Sequence, residues 1–540
     1  MASTTTGVEL VTLTKDGAPV PPGAPVVSPP APSSDSGVLL GSTTSQDTQE
    51  AEVPALSRFR TVVIIFQLST VNFMTSAVTG LVTVGLPTIS ATLNLPTKLA
   101  LWPASVTNLT TASTLMIAGA ASDVIGPRTV DIAGCFLVGV AILAAAGSQT
   151  GEQLVGMRAL QGVALSLHLA ASVGIVSQSL RAGKARNLAF AFLGLSQPMG
   201  FSFGLVTGGI MIDTTGWRPG WWIFGGIILG LAFVGMWALP SQRKNRTFGQ
   251  VLKECGQKVD WVGAALASVA MALSSYLLAI VSADPHRIRE AGSIVILCLA
   301  VAAVPAFVYW VHYRVQINKP ALIPNSLWKN KAFSTICGTI TLSFAVLGSM
   351  ELFASLFFQE IQHLSALQAS IRILPSLIVG TLLNLGTGLV VHRIPALWLV
   401  MISSLLCAGG PLLMAVIQPQ WTYWANAFVA QLLQPISVDV MFTVGLIIVS
   451  ETFPEDKQSL AGAVFNTAAQ FGQALGLAVM QIVSALVRQA EERKGNVDGD
   501  DALFAGYKAS FWTMFSFMML CILLGGIGLR GAGRVGVKRD

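Results

Sequence analysis

Between Arg60 and Arg530 the chain repeats one pattern fourteen times, a stretch of roughly 20 apolar residues followed by a short polar break. The apolar stretches lie near 61–86, 100–121, 129–148, 152–175, 187–211, 220–239, 261–281, 292–312, 333–357, 366–390, 395–416, 421–448, 459–486 and 509–529. A helix of roughly 20 residues rises about 30 Å, the thickness of a bilayer's hydrocarbon core. The pattern therefore predicts an all-α membrane protein with 14 transmembrane helices.

The polar breaks divide the spans six, two and six. The predicted units are a disordered cytoplasmic tail over 1–57, rich in Pro, Ser and Thr, and an N-terminal six-helix bundle over 58–240. A basic linker with two extra helices follows over 241–313, then a second cytoplasmic linker over 314–332. A C-terminal six-helix bundle over 333–530 and a short cytoplasmic tail over 531–540 complete the chain. Two six-helix bundles with a site between them are a transporter plan. The two middle spans carry few polar residues beyond Ser268, Ser274, Ser275, Tyr276 and Ser293, so they are expected at the periphery.

Composition agrees with membrane burial. The chain is 53% hydrophobic and 11% charged, against roughly 25% charged in soluble domains, and its mean hydropathy is +0.67. The net charge of +6 is scattered over loops, which speaks against nucleic acid. Of the 32 Lys and Arg residues, 21 fall on the side of the termini and 8 opposite, leaving Lys15 in the tail and Arg158 and Arg372 within spans. Excess positive charge marks the cytoplasmic side, so both termini are expected there. Trp102, Trp217, Trp221, Trp222, Trp421, Trp424 and Trp512 fall near the opposite ends, as an interfacial belt would. The six cysteines form no CxxC pair, so neither a disulfide framework nor a metal site is indicated. No P-loop occurs, which removes ATP as the energy source, and the five histidines form no enzyme-like cluster.

Chemistry concentrates in a few places. The turn after the second span reads Gly119-x3-Asp123-x2-Gly126-x-Arg128. Gly126 permits a tight reversal, and Asp123 at a helix end can pair with Arg128 or a neighbouring helix N-terminus, holding one conformation and releasing in another. In the fourth span, Arg158, Gln161, Leu165, His168 and Ser172 share an arc of about 80°. An Arg and a His facing lipid would be costly, so this stripe is expected to face a central cavity, with His168 as a proton-coupling candidate. Asn72, Thr75, Ser76, Thr79 and Thr83 in the first span, Gln197 in the fifth, and Asn466, Gln470 and Gln473 in the thirteenth are candidates for lining it. Such uncharged stripes equally serve as interhelical hydrogen bonds. Ser196, Gly200, Gly204 and Gly208 at four-residue spacing, followed by Gly209, let helix backbones approach closely. Three acidic residues read as intramembrane: Glu351, Glu360 and Asp439. Such a carboxylate titrates or pairs, and Arg372 is a candidate partner for Asp439, the first choice as proton carrier.

The Gly-Asp-Gly-Arg turn, Arg158-Ala-Leu-Gln161-Gly162, the glycine stripe, Leu101-Trp-Pro-Ala104, Gly216-Trp-Arg218 and Ser459-Leu-Ala-Gly-Ala-Val-Phe-Asn466 together resemble the major facilitator superfamily over about 480 residues, and within it the fourteen-spanner drug:proton antiporters of fungi. The resemblance departs at Val124 and Pro127, where a basic residue is usual, and at Leu205, where the antiporter signature has proline. It departs again at Leu86-Pro-Thr-Ile89, which lacks the acidic residue that many fourteen-span exporters carry before it. The resemblance implies a major facilitator fold and efflux of a small organic compound (drug, toxin or secondary metabolite). The inward proton gradient would be the energy source, with no cofactor, and the resemblance gives Arg158 a part in proton coupling. The expected protein is a monomer in the lipid bilayer of the plasma membrane, with a vacuolar or vesicle membrane as the other setting, and it binds no nucleic acid. The alternative is an importer or exchanger of a small solute.

Overall fold

In the computed structural model, described for residues 57–540 apart from 97–98, 180–183, 241–249, 251–259, 284, 318, 320, 324, 326, 391–392, 453–454, 495–498, 532 and 534–540, the chain is helical. The expectations for most of the N-terminal tail, the first linker and the last seven residues lie outside the described residues.

The first six helices are α1 (Arg58–Thr92), α2 (Trp102–Ile125), α3 (Pro127–Ala146), α4 (Gly151–Ser179), α5 (Lys184–Thr214) and α6 (Arg218–Ala238). Then come α7 (Trp261–Ala283) and α8 (Ala291–Gln316). The last set is α9 (Lys331–Leu356), α10 (Ala366–Val390), α11 (Ala396–Val416), the short α12 (Ala427–Leu433) running into α13 (Ile436–Thr452), α14 (Glu455–Arg493) and α15 (Gly499–Gly528). Eleven segments are long and apolar enough to cross a membrane among the described residues.

Local sequence sets the ends. Ser57 accepts the Arg60 amide at 3.2 Å to cap α1, and Asn330 accepts the Phe333 amide at 3.0 Å to cap α9. Gly126, at φ 106°, ends α2 and starts α3 in one residue, a conformation that favours glycine, with Pro127 at the first helical position of α3. Pro435 separates α12 from α13. Gln434 beside the break is held on both sides: its carbonyl accepts from Cys407 Sγ at 2.9 Å, and its amide donates to Leu347 O at 3.4 Å. Non-helical backbone at this depth is tolerated only when protein satisfies it.

Packing makes two sets. In the first, α1 lies along α5 and α6, and α4 lies between α2 and α3. In the second, α9 lies along α14, α15 and α13, while α11 packs on α12, α13 and α15. The pairs α1/α5 and α9/α14 are built alike. A Cβ at Gly204 would sit 2.0 Å from Ala77 O, and one at Gly476 would sit 2.3 Å from Ala345 O. The sets meet along α5–α10 and α2–α14. Helix α7 packs on α2 and α14, and α8 packs on α7. Tyr276 is exposed and stacks edge-on against Trp102, with centroids 6.4 Å apart.

One carboxylate ties the extra pair together. Buried Asp260 caps α7 through the Gly263 amide at 3.0 Å, accepts the Trp310 indole N–H of α8 at 2.8 Å and the Leu322 amide at 3.2 Å, and lies 3.9 Å from Arg314 Nε. Asp260→Ala removes a cap and leaves buried N–H groups unpaired, a cost of about 2–4 kcal/mol to α7/α8 docking. Hydrogen exchange should quicken in α7 and α8 and stay unchanged in α3 and α11. Wild-type protection in α8 would contradict this role.

Candidate functional site

Where the two sets meet, near the midpoint of α14, lies a cavity of about 20 Å³, room for roughly one water. Its wall includes Thr79 and Thr83 of α1, Asn108 of α2, Phe201 of α5, Glu351 of α9 and Gln473 of α14. Thr79, Thr83, Glu351 and Gln473 are sequence candidates. Asn108 and Phe201 were not among them: Asn108 stands in a run of Ser and Thr that singles out no one face of its helix, and Phe201 is one aromatic residue in an apolar span.

The cavity is sealed toward the end of the bundle farther from the chain termini. On α9, Glu351, Ser355 and Gln359 follow at four-residue spacing and so share one face. Ser355 Oγ donates to Thr83 O at 3.2 Å, and Gln359 Nε2 donates to Val84 O at 2.9 Å. Pro87 lacks the N–H that Thr83 O would accept within α1. The Leu86-Pro-Thr-Ile89 sequence thus exposes a carbonyl, and the second bundle satisfies it. Beside this contact, Ser370 Oγ of α10 lies 2.7 Å from Leu205 O of α5, and Asp213 Oδ2 accepts the Leu367 amide at 3.2 Å. Gly209 packs here against Leu367, between bundles, whereas Gly200, Gly204 and Gly208 pack against α1.

The Arg–His stripe of α4 does not face this cavity. Arg158 and His168 are fully buried against neighbouring helices. Arg158 Nε donates to Pro103 O of α2 at 3.0 Å, Nη1 donates to Gln161 Oε1 at 2.9 Å, and the guanidinium lies 5.7 Å from the Trp221 ring of α6. His168 points to α3, where its Nδ1 is 2.8 Å from Asp131 Oδ1. The expectation failed because the two residues lie about 80° apart on α4, enough to give them different neighbours. Trp217 and Trp221 are buried too, so they do not belong to an interfacial belt, unlike the exposed Trp222, Trp421, Trp424 and Trp512.

Asp131 is the polar residue that the sequence reading passed over. It lies in the first turns of α3, three residues after Arg128, where a charge reads as interfacial. It is fully buried. Gln67 Nε2 of α1 donates to its Oδ2 at 3.3 Å, and Cys135 Sγ lies 3.4 Å from His168 Nδ1. Asp131, Cys135 and His168 are donor types that bind metal, and their ligand atoms lie within 4.8 Å of one another. The 2.8 Å Asp–His contact has the length of a charge-assisted hydrogen bond.

The remaining candidates scatter. Asp123 is exposed and makes no ion pair among the described residues, and Gly119 has open space around it. Arg128, expected as the partner of Asp123, donates instead to Met236 O of α6 at 2.5 Å. Pro127 starts α3 directly after Gly126, so Arg128 lies in the first turn of α3 and reaches α6. Asn72 is buried and Ser76 half-buried on α1; Gln197 is exposed on α5. Asn466 bonds back to Gly462 O at 2.9 Å, and Gln470 is half-buried. Asp439 is half-buried on α13 against Gly380 of α10, within electrostatic reach of Glu351. Arg372, the suggested partner of Asp439, bonds Gln362 Oε1 at 2.6 Å and stacks on Phe358 and Tyr423. Glu360 accepts a hydrogen bond from Tyr507 of α15.

The sequence profile described as Major Facilitator Superfamily matches residues 68–477. MFS-type transporter 1 of Pyricularia oryzae is 36% identical over 96% of this chain and 90% of its own length. The low affinity ammonium transporter of Saccharomyces cerevisiae is 23% identical, covering 80% of this chain and 79% of that protein. Efflux pump terJ of Aspergillus terreus is 22% identical over 80% and 78%. Among solved structures, the inward-facing, unoccupied bacterial homologue of the human lysosomal transporter Spinster superposes with a TM-score of 0.61 at 13% identity, covering 88% of this chain and 98% of that one. Family and fold are those of membrane transporters. With the profile matching most of the chain and the Pyricularia relative aligning nearly end to end, the chain belongs to the Major Facilitator Superfamily.

Proposed function

We propose that this chain is a proton-coupled secondary transporter that expels a small organic compound, crossing the plasma membrane fourteen times with both termini in the cytoplasm. One observation carries the reading: a cavity between two alike helix sets holds a single buried carboxyl group among neutral hydrogen-bonding side chains and is sealed at one end by contacts between the sets. Such contacts can break and reform as the bundles rock, which is the motion alternating access requires. The excess positive charge on the termini side supports an extracellular position for the sealed end, and in this reading the conformation described is closed to the outside. A relative named as an efflux pump supports export. A relative named as an ammonium transporter supports the second reading, uptake or exchange of a small solute.

The proton role falls on Glu351 and Asp439, the two carboxylates within reach of one another in the second bundle. The test is reconstitution of the full chain in liposomes with an imposed pH gradient and a panel of organic solutes. Gradient-driven accumulation is expected for the wild type. Asp439→Asn or Glu351→Gln should abolish accumulation and spare downhill exchange. Accumulation that persists in both variants would remove these carboxylates from coupling, and a panel on which the gradient has no effect would reject proton-driven transport.

A further inference from the structure

Inside the first helix set, away from the cavity between the sets, three helices aim four polar side chains at one point. Gln67 of α1, Asp131 and Cys135 of α3, and His168 of α4 are all fully buried. Asp131 and Cys135 stand four residues apart and so share a face of α3. Gly134 lets α4 come close to that face: a Cβ there would lie 2.9 Å from the His168 amide nitrogen. Hydrogen bonding alone does not account for the arrangement. Asp131 Oδ1 and Cys135 Sγ both converge on His168 Nδ1, at 2.8 and 3.4 Å, and a ring nitrogen has one proton or one lone pair to share. Gln67 Oε1, buried beside them, has no partner.

The spacings are those of a small coordination shell. Tetrahedral ligands with bonds of about 2.0–2.1 Å to nitrogen or oxygen and about 2.3 Å to sulfur stand roughly 3.3–3.6 Å apart. Cys135 Sγ lies 3.4 Å from His168 Nδ1 and 3.7 Å from Asp131 Oδ2. Gln67 Nε2 lies 3.3 Å from Asp131 Oδ2 and 3.7 Å from Cys135 Sγ. The Asp131–His168 edge, 2.8 Å, is shorter, as a hydrogen bond makes it. An ion in place of that proton opens the edge by about 0.5 Å. Half a turn of the Gln67 amide brings its carbonyl oxygen to where Nε2 stands, as a fourth donor.

Charge and donor type choose the ion. A thiolate and a carboxylate carry two negative charges between them, and a neutral imidazole and an amide carry none, so a divalent ion leaves the buried site neutral. No lysine or arginine pairs with Asp131 among the described residues. Sulfur and imidazole nitrogen suit zinc and its neighbours, whereas magnesium and calcium take oxygen ligands. We propose that Gln67, Asp131, Cys135 and His168 form a binding site for a divalent ion of the zinc class, which ties α1, α3 and α4 together. The thiol proton leaves as the ion binds, and the ring proton of His168 resides on Nε2. No CxxC spacing announces the site, because its ligands come from three helices. None of the four residues lines the cavity between the sets, so the site stands or falls apart from transport.

The test uses the full chain in detergent, without a polyhistidine tag. Protein from cells grown with added zinc should carry about one zinc per chain by elemental analysis. Chelator-treated protein should take up cobalt(II) slowly, because every ligand is buried. It should then show a thiolate-to-cobalt charge-transfer band in the near ultraviolet and the strong visible absorption of a tetrahedral site. Cys135→Ser should lose the charge-transfer band and weaken binding by more than roughly 100-fold, the upper range for losing even a residue that only supports a ligand. Cys298→Ser, at an exposed thiol of α8, should keep both. Added zinc should raise the melting midpoint of the wild type and not that of Cys135→Ser. In chelator-treated protein, where the Asp131–His168 bond stands alone, Cys135→Ser should melt as the wild type does. X-ray absorption of zinc-loaded wild type needs no variant and should show one sulfur among nitrogen and oxygen ligands. Absence of both zinc and the cobalt band, a zinc shell without sulfur, or an unaltered band in folded Cys135→Ser protein would each overturn the proposal.

Discussion

Asp131→Ala is expected to destabilise the first helix set by roughly 3–5 kcal/mol, the cost of removing one member of a buried, hydrogen-bonded Asp–His pair. The carboxylate accepts from Gln67 and lies 2.8 Å from His168, and both members of the Asp–His pair are fully buried. Without it the imidazole keeps only the Cys135 thiol as neighbour, since His168 Nε2 already lacks a partner. Thermal unfolding of the purified chain in detergent measures the loss. In a double-mutant cycle, Asp131→Ala and His168→Ala together should cost clearly less than their sum, because each alone orphans the other. Asp131→Asn is the informative partner: its amide oxygen still accepts an N–H but carries no charge. Near-complete recovery in that variant marks a neutral imidazole, and no recovery marks an imidazolium. Cys135→Ser should change little. If Asp131→Ala unfolds within about 0.5 kcal/mol of wild type, the range of ordinary surface substitutions, the pair is not a structural tie.

The same pair shows where sequence reading reaches its limit. Apolar stretches of bilayer length announce helices because lipid leaves the backbone no other means of satisfying its hydrogen bonds. The helices among the described residues therefore overlap the predicted stretches, eleven of them long and apolar enough to cross a membrane, and the family signatures led to the right superfamily. Partners are a different matter. Helical periodicity tells which residues share a face and is silent on what that face meets. The cost of exposing Arg158 and His168 to lipid turned them toward an expected cavity, yet in a helix enclosed on most sides the face turned from lipid meets other helices instead. Asp131 was missed because a charge one turn inside a helix end looks interfacial. A usable signal was present: Asp131 and Cys135 stand four residues apart on one face of α3, as a polar seam opposite a histidine-bearing helix would. The cavity was legible through Thr79, Thr83, Glu351 and Gln473, which belong to polar or acidic positions in otherwise apolar spans. Asn108 and Phe201 required knowledge of how α2 and α5 are placed, which depends on the close approaches that glycines permit.

Those glycines divide into two kinds, and substituting one of each should give opposite results. Gly204→Val is expected to prevent the first helix set from forming. Even a Cβ at this position lies 2.0 Å from Ala77 O and 2.5 Å from Ala77 Cα. These are backbone atoms of α1, so no side chain can swing aside, and the two helices must part along their whole contact. Gly80 faces the same seam from α1, where a Cβ would fall 2.4 Å from Phe201 O. Overpacking by a methylene or two costs about 1–3 kcal/mol where the surroundings can give; here they cannot, and the loss should exceed that range. The readout is the monodisperse fraction on size exclusion after detergent extraction, expected to fall to near nothing for Gly204→Val and to fall measurably for Gly204→Ala. Gly119→Ala is the counterpart. Nothing lies within 4 Å of its Cβ position, and alanine favours a helix over glycine by about 1 kcal/mol. That variant should extract and unfold at least as well as wild type. If it folds normally yet transports slowly, another part of the chain must approach Gly119 in a conformation other than the one described. That result would place the constraint on the Gly-Asp-Gly-Arg turn in the rocking of the bundles rather than in the fold. Wild-type extraction of Gly204→Val would show that α1 and α5 do not meet at this seam.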